Sequence, residues 1–204
     1  MPRRPIEYDT GFTLLPGNYM IKFLARDDET GRIGTFETTF VIPNLNKEER
    51  RVPLSAVVLS SQRVDLKQAI YDAAKAKDRA KDEAVNPLVQ DGKKLIPSVT
   101  RVFAAGREIH VYFQAYKQTQ TPNPSPQPPL FAFVSLYQGG KKLYETAPKS
   151  IVPDPASRLG TMTLSFDLGV DNLPRGQYDC QVTVLDPSTQ KAAFWRAPIL
   201  LVSQ

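Results

Sequence analysis

Apolar residues recur at every second position along much of the chain. In "GQYDCQVTVLD", Tyr178, Cys180, Val182 and Val184 fall on one face and Asp179, Gln181 and Thr183 on the other, the pattern of a half-buried strand. Tyr19, Ile21, Phe23 and Ala25 alternate in the same way against Asn18, Met20, Lys22 and Leu24. This second row is less polar, so Met20 and Leu24 are expected to touch something else. "SVTRVFAAGREIHVYFQAYKQ" predicts a strand, an Ala-Gly turn and a strand in which Ile109, Val111, Phe113 and Ala115 alternate with His110, Tyr112, Gln114 and Tyr116. "LFAFVSLYQGGKKLYETAP" predicts two strands around a Gly139-Gly140 hairpin turn. "LGTMTLSFDLGVDNLP" predicts another, with Met162, Leu164, Phe166 and Leu168 on one face.

One stretch occurs twice. "LLPGNYMIKFLARDDETGR" aligns without a gap on "LPRGQYDCQVTVLDPSTQK" at the spacing that separates Tyr19 from Tyr178. Leu14 meets Leu173, Gly17 meets Gly176, Asp27 meets Asp186 and Thr30 meets Thr189. Each copy reads as a Pro/Gly corner, a strand, a tight turn led by an aspartate, and a last strand rich in aromatic and branched residues. Pro198 in the second return strand predicts a sheet edge or bulge there. A tyrosine near the start of the sixth strand caps a corner in an immunoglobulin-like sandwich, and Gly176-x-Tyr178-x-Cys180 is a run of the kind found there. Gly17, Tyr19, Gly176 and Tyr178 are therefore the expected corner residues. Cys180 falls where the first copy has Ile21 and reads as a small buried hydrophobe.

Residues 96–204 hold about seven predicted strands, the number one complete antiparallel sandwich of that type requires. Residues 1–45 hold only the closing strands of a second one, which reads as a truncated domain. An isolated hairpin with apolar faces is not stable alone, so it is expected to dock, to self-associate or to take a protein partner. Between them, residues 46–95 read as a linker with one strand in "VPLSAVVLSSQ" and one charged α-helix over about 65–85, with Asp65 as N-cap and a stop at Asn86-Pro87. The fold class expected is mainly β, with that single helix.

Charge and chemistry narrow the function mostly by exclusion. The net charge of +5 and pI of about 9.3 come from dispersed pairs such as Arg3-Arg4, Arg50-Arg51, Lys93-Lys94 and Lys141-Lys142. No basic segment interleaved with aromatics accompanies them, so no nucleic-acid partner is expected. No run approaches a membrane span, and the first residues lack the apolar run of a signal peptide. The single cysteine permits no internal disulfide. His110 is the only histidine and reads as a surface residue, without partners for a triad or a metal cluster. Asp27-Asp28-Glu29 carries carboxylates on a turn but lacks calcium-loop spacing, and turn chemistry accounts for it. Asp154, Asp167 and Asp171 read as scattered carboxylates without partners. "TQTPNPSPQPP" reads as a Pro-rich loop between strands. With no phosphate loop, CxxC, HExxH or GxSxG, neither an enzyme nor a cofactor is expected, and no metal site either.

The phrases "FTLLPGNYMIKFLARDDETGRIGTFETTFVIPNL", "LSAVVLSSQ" and "NPLVQDGKKLIPSVTRVFAAGREIHVYFQAY" resemble the C-terminal region of the von Willebrand factor A-related proteins common in Acidobacteria. The resemblance implies an exported protein with a signal peptide, a von Willebrand factor A domain and β-sandwich modules. The Asp-x-Ser-x-Ser metal motif of that domain does not occur in this chain, so no metal residue carries over. The resulting expectation is a non-catalytic structural or interaction module of a longer exported protein. A second expectation is a carbohydrate-binding or hydrolase-accessory sandwich, for which Tyr112, Tyr116, Tyr137 and Tyr144 would form an exposed platform.

Overall fold

The computed structural model describes residues 14–48, 50–65, 86–90, 92–117, 128–152 and 160–203. The expected charged helix, most of the Pro-rich loop and Asp154 lie outside these residues. Two compact units divide the chain, Met1–Lys47 and Glu48–Gln204. Both are built from strands, as the period-two patterning requires.

In the first unit, β1 (Gly17–Arg26) and β2 (Ile33–Ile42) form an antiparallel hairpin, followed by a short 3-10 turn at Leu45–Lys47. The aspartate that leads the turn closes it. Asp27 Oδ1 accepts from the amides of Glu29 at 2.9 Å and Thr30 at 3.3 Å, and Oδ2 accepts from the Thr30 hydroxyl at 2.9 Å. These bonds, that from the Thr30 hydroxyl first, lower the Asp27 carboxyl below its ordinary value. Gly31 then takes the left-handed φ of 68° that the turn demands.

In the second unit the strands are β3 (Val58–Ser60), β4 (Arg63–Asp65), β5 (Val89–Gln90), β6 (Lys93–Leu95), β7 (Val102–Ala104), β8 (Ile109–Tyr116), β9 (Leu130–Gln138), β10 (Lys141–Glu145), β11 (Lys149–Ile151), β12 (Thr161–Leu168), β13 (Gly176–Asp186) and β14 (Lys191–Val202). One sheet runs β10-β9-β13-β14-β7. β11 takes up the outer edge of β9 beyond the point where β10 leaves it. A second sheet runs β12-β8-β3, and a small third one runs β4-β6-β5. Gly139 and Gly140, at φ 57° and 80°, supply the two left-handed residues of the tight β9–β10 turn. Pro198 sits on β14 before its parallel pairing with β7 begins at Leu200, where a missing amide costs no ladder bond on that side.

One cluster of buried side chains joins the two larger sheets. Ile109, Val111, Phe113, Met162, Leu164 and Phe166 come from β8 and β12, and Leu130, Val134, Tyr178, Cys180, Val182 and Ile199 from β9, β13 and β14. Phe113 and Phe166 stack at 6.2 Å. The inward rows read from the sequence on β8, β12 and β13 are the rows found here.

The 46–95 segment, in its described parts from Glu48 on, belongs to the packed second unit rather than to a linker. Its Val52, Leu59 and Leu95 are buried, β3 pairs β8, and Leu54 bridges Ala115. The Gln114 amide donates to Ser55 Oγ at 2.8 Å, so this stretch serves as the third strand of a sheet. Asp65, expected as a helix cap, ends β4 opposite Lys93.

The two hairpins share one register. Gly17 faces Ile42 and Ala25 faces Gly34; Gly176 faces Leu201 and Val184 faces Ala193, every pair displaced by the Tyr19-to-Tyr178 spacing. Each tyrosine hydroxyl donates to the carbonyl four residues upstream, Tyr19 to Leu15 at 2.8 Å and Tyr178 to Pro174 at 2.5 Å. Tyr178 is buried and Tyr19 only partly so. Tyr178→Phe should therefore cost about 1 kcal/mol in urea denaturation of the second unit, while Tyr19→Phe, whose bond is exposed to water, should leave that transition within about 0.5 kcal/mol of wild type.

Candidate functional site

The four tyrosines do not form a platform. Tyr112 and Tyr116 are on β8 in one sheet, and Tyr137 and Tyr144 on β9 and β10 in the other. Tyr112 is only 5% exposed. Burial raises its hydroxyl above the ordinary tyrosine range, against hydrogen bonds with Thr163 and Gln114 that work to lower it. Tyr116 is half-buried and donates to Gln114 Oε1 at 3.0 Å. Tyr144 packs against the core, whereas Tyr137 lies beneath the Arg196 guanidinium, 5.7 Å from the ring centroid.

His110 is likewise buried rather than a surface residue. Strict alternation would place His110 and Tyr112 on the solvent face of β8, but Leu88, Lys93 and Leu95 lie over that face at this end of the strand. Together with Arg63, Val111, Tyr112, Ser165 and Asp167 they line an open pocket of about 260 Å³ around His110. The carboxylate expected to be unpaired is tied down here. Asp167, directly across the ladder from His110, accepts from His110 Nδ1 at 2.7 Å and from Arg63 at 2.7 Å. A carboxylate only accepts, so the imidazole hydrogen on that side belongs to Nδ1. Glu108 brings a third candidate ligand atom, and the three groups lie within 4.8 Å of one another. Arg63 already neutralises Asp167 in this arrangement.

A second polar group closes the other end of the core. Lys117 Nζ donates to Asp186 Oδ1 at 3.2 Å, to the Pro128 carbonyl at 3.0 Å and to Ser188 Oγ at 3.1 Å. Both charged side chains are almost wholly buried. Burial works to raise the Asp186 carboxyl, but hydrogen bonds from Ser188, Thr189 and Lys117, with the lysine's charge, outweigh it and hold the carboxyl below 3.8. Gly160 is fixed beside this group: its amide carbonyl accepts from Lys117 N at 3.1 Å, and a Cβ there would meet Lys117 O at 2.0 Å. The Lys117 contacts tie the end of β8 to the turn between β13 and β14.

Among the described residues, the β1–β2 hairpin and its immediate flank carry eight exposed large hydrophobic side chains, Leu14, Leu15, Met20, Phe23, Leu24, Ile33, Phe36 and Val41. Phe23 and Phe36 pair across one face at 6.3 Å, beside the stacked pair Tyr19 and Phe40 at 5.8 Å. Yet Phe23 is 44% and Phe36 62% exposed, and Met20, Leu24, Ile33 and Val41 are more than 60% exposed. On the equivalent positions of β13 and β14, Val182 is fully buried and Trp195 packs against the core. The sequence marked Met20 and Leu24 as residues with something still to touch, and both stand in solvent.

No helix among the described residues is long and apolar enough to cross a membrane. No protein-family model matches the chain, and no curated protein does.

Removing one partner of a buried ion pair strands the other charge, so Asp186→Asn should destabilise the second unit by about 3 kcal/mol at pH 7. Because the folded carboxyl lies below its unfolded value, its contribution is complete above about pH 4 and is lost as pH falls through the folded value. The gap between wild type and Asp186→Asn, measured by denaturant titration across pH, should accordingly close on the acid side only.

Proposed function

We propose that this chain is a non-catalytic interaction module, built on an immunoglobulin-like sandwich and belonging to a longer exported protein of the von Willebrand factor A-related kind. The topology of the second unit supports the first part. β8 and β12 lie in one sheet and β9, β13 and β14 in the other, β7 joins β14 in parallel, and a buried tyrosine caps the corner before β13, all features of that sandwich. The resemblance quoted from "FTLLPGNYMIKFLARDDETGR" and its companions supports the second part.

The observation that carries the functional reading is the hairpin. It repeats the register and the tyrosine corner of β13–β14, whose inner face is covered, while its own faces are bare. Phe23 and Phe36 are exposed on one face and Met20, Leu24, Ile33 and Val41 on the other, and exposed apolar surface of this kind supports an association site. The spread of the four tyrosines over two sheets gives the carbohydrate reading no support. The work of the module is to hold another polypeptide surface against β1 and β2.

With no partner supplied, the purified chain should associate with itself at tens of micromolar, seen as a weight-average mass above one chain in light scattering. Phe23→Ser with Phe36→Ser should weaken that association by at least about tenfold, since each aromatic anchor is worth ~1.5–3 kcal/mol when buried. The thermal transition of the second unit should not move. A wild-type chain that stays monomeric, or a double variant that associates as before, would remove the basis for this reading.

A further inference from the structure

The covered hairpin shows what the bare one lacks. Along the outer edge of β13 runs β9, antiparallel, with Asp179 opposite Tyr137, Gln181 opposite Ser135 and Leu185 opposite Phe131. Moved back by the spacing of the two tyrosines, these partners fall on Met20, Lys22 and Arg26 of β1. Among the described residues β1 pairs with β2 alone, so the amides and carbonyls of that edge face outward. An edge of this kind is a template for strand addition.

Charge decides what fits it. Gly17–Arg26 contains Lys22 and Arg26 and no carboxylate. Lys22 stays 68% exposed although it pairs with Glu37 at 2.9 Å. Two copies joined edge to edge would bring only cations into the seam, and like charges across a ladder are destabilising. Met20 and Leu24 stand 63% and 69% exposed on the face that carries Lys22, so an added strand with apolar side chains has apolar neighbours to meet there.

We propose that the free edge of β1 accepts, over Met20–Arg26, an antiparallel strand from another polypeptide that is apolar at alternate positions and carries a carboxylate opposite Lys22. This rests on the reading of the hairpin as a docking element and names the chemistry of its occupant. The register is the one β9 adopts on β13, so the acidic residue stands where β9 has Ser135.

The test uses the whole chain and synthetic nonapeptides with the sequence Leu130–Gln138, one carrying Ser135→Glu and one Ser135→Lys. Hydrogen exchange read residue by residue should show the glutamate peptide protecting alternate amides across Met20–Arg26, and it should bind at least about tenfold tighter than the lysine peptide at low salt, the preference shrinking as salt is added. No new protection, or equal binding of the two peptides, overturns the proposal. So does protection of the same amides that grows with protein concentration without peptide, which would place a second copy on that edge. If the peptides fail while Phe23→Ser with Phe36→Ser still abolishes association, the docking reading stands and only the strand-addition proposal falls.

Discussion

A β-strand satisfies its backbone only sideways, and each strand of this chain is placed by which neighbours take its two edges. β13 is the centre of that arrangement. It pairs with β14 along its whole length and with β9 on the other side, and its inward row of Tyr178, Cys180, Val182 and Val184 is completely covered. With both edges and one face taken, it fixes the register of the sheet. The tyrosine at its start fixes where the chain enters, because the Tyr178 hydroxyl reaches back to Pro174. The core between the two larger sheets then follows from alternation alone.

The same local chemistry produces β1 and β2, with no such neighbours among the described residues. The contrast separates what a hairpin needs to form from what it needs to be buried. Corner, aspartate turn and cross-strand aromatics are short-range and suffice for the ladder. Burial depends on a second sheet and a flanking strand, which the hairpin's own sequence cannot provide. The bare phenylalanines of the hairpin are the residue of that difference.

How much the sequence disclosed divides along the same line. The inward rows of β8, β12 and β13, the Gly139-Gly140 turn and the repeated corner all depend on residues within a few positions of one another, and were legible. The surroundings of His110 were not. Its partner Asp167 lies 57 residues away, and Arg63 reaches Asp167 across 104; nothing in the spacing of either residue marks the meeting. Tyr112 and His110 obey alternation yet are buried, because Leu88 and the β6 residues Lys93 and Leu95 fold over what would be an open face. That residues 50–65 pack into the second unit, where a linker was expected, has the same origin. "VPLSAVVLSSQ" contributes only a three-residue strand, too short to declare which edge it will join.

The placement of Cys180 has a consequence for watching the molecule at work. Its thiol is fully buried, and burial pushes its pKa up to about 12, so at neutral pH it is neither ionised nor within reach of a reagent. An alkylating probe can meet it only when β13 parts from its neighbours. As the only thiol in the chain, it turns each such opening into a permanent chemical mark, and the rate at which marks accumulate under native conditions becomes a clock for the breathing of the sheet.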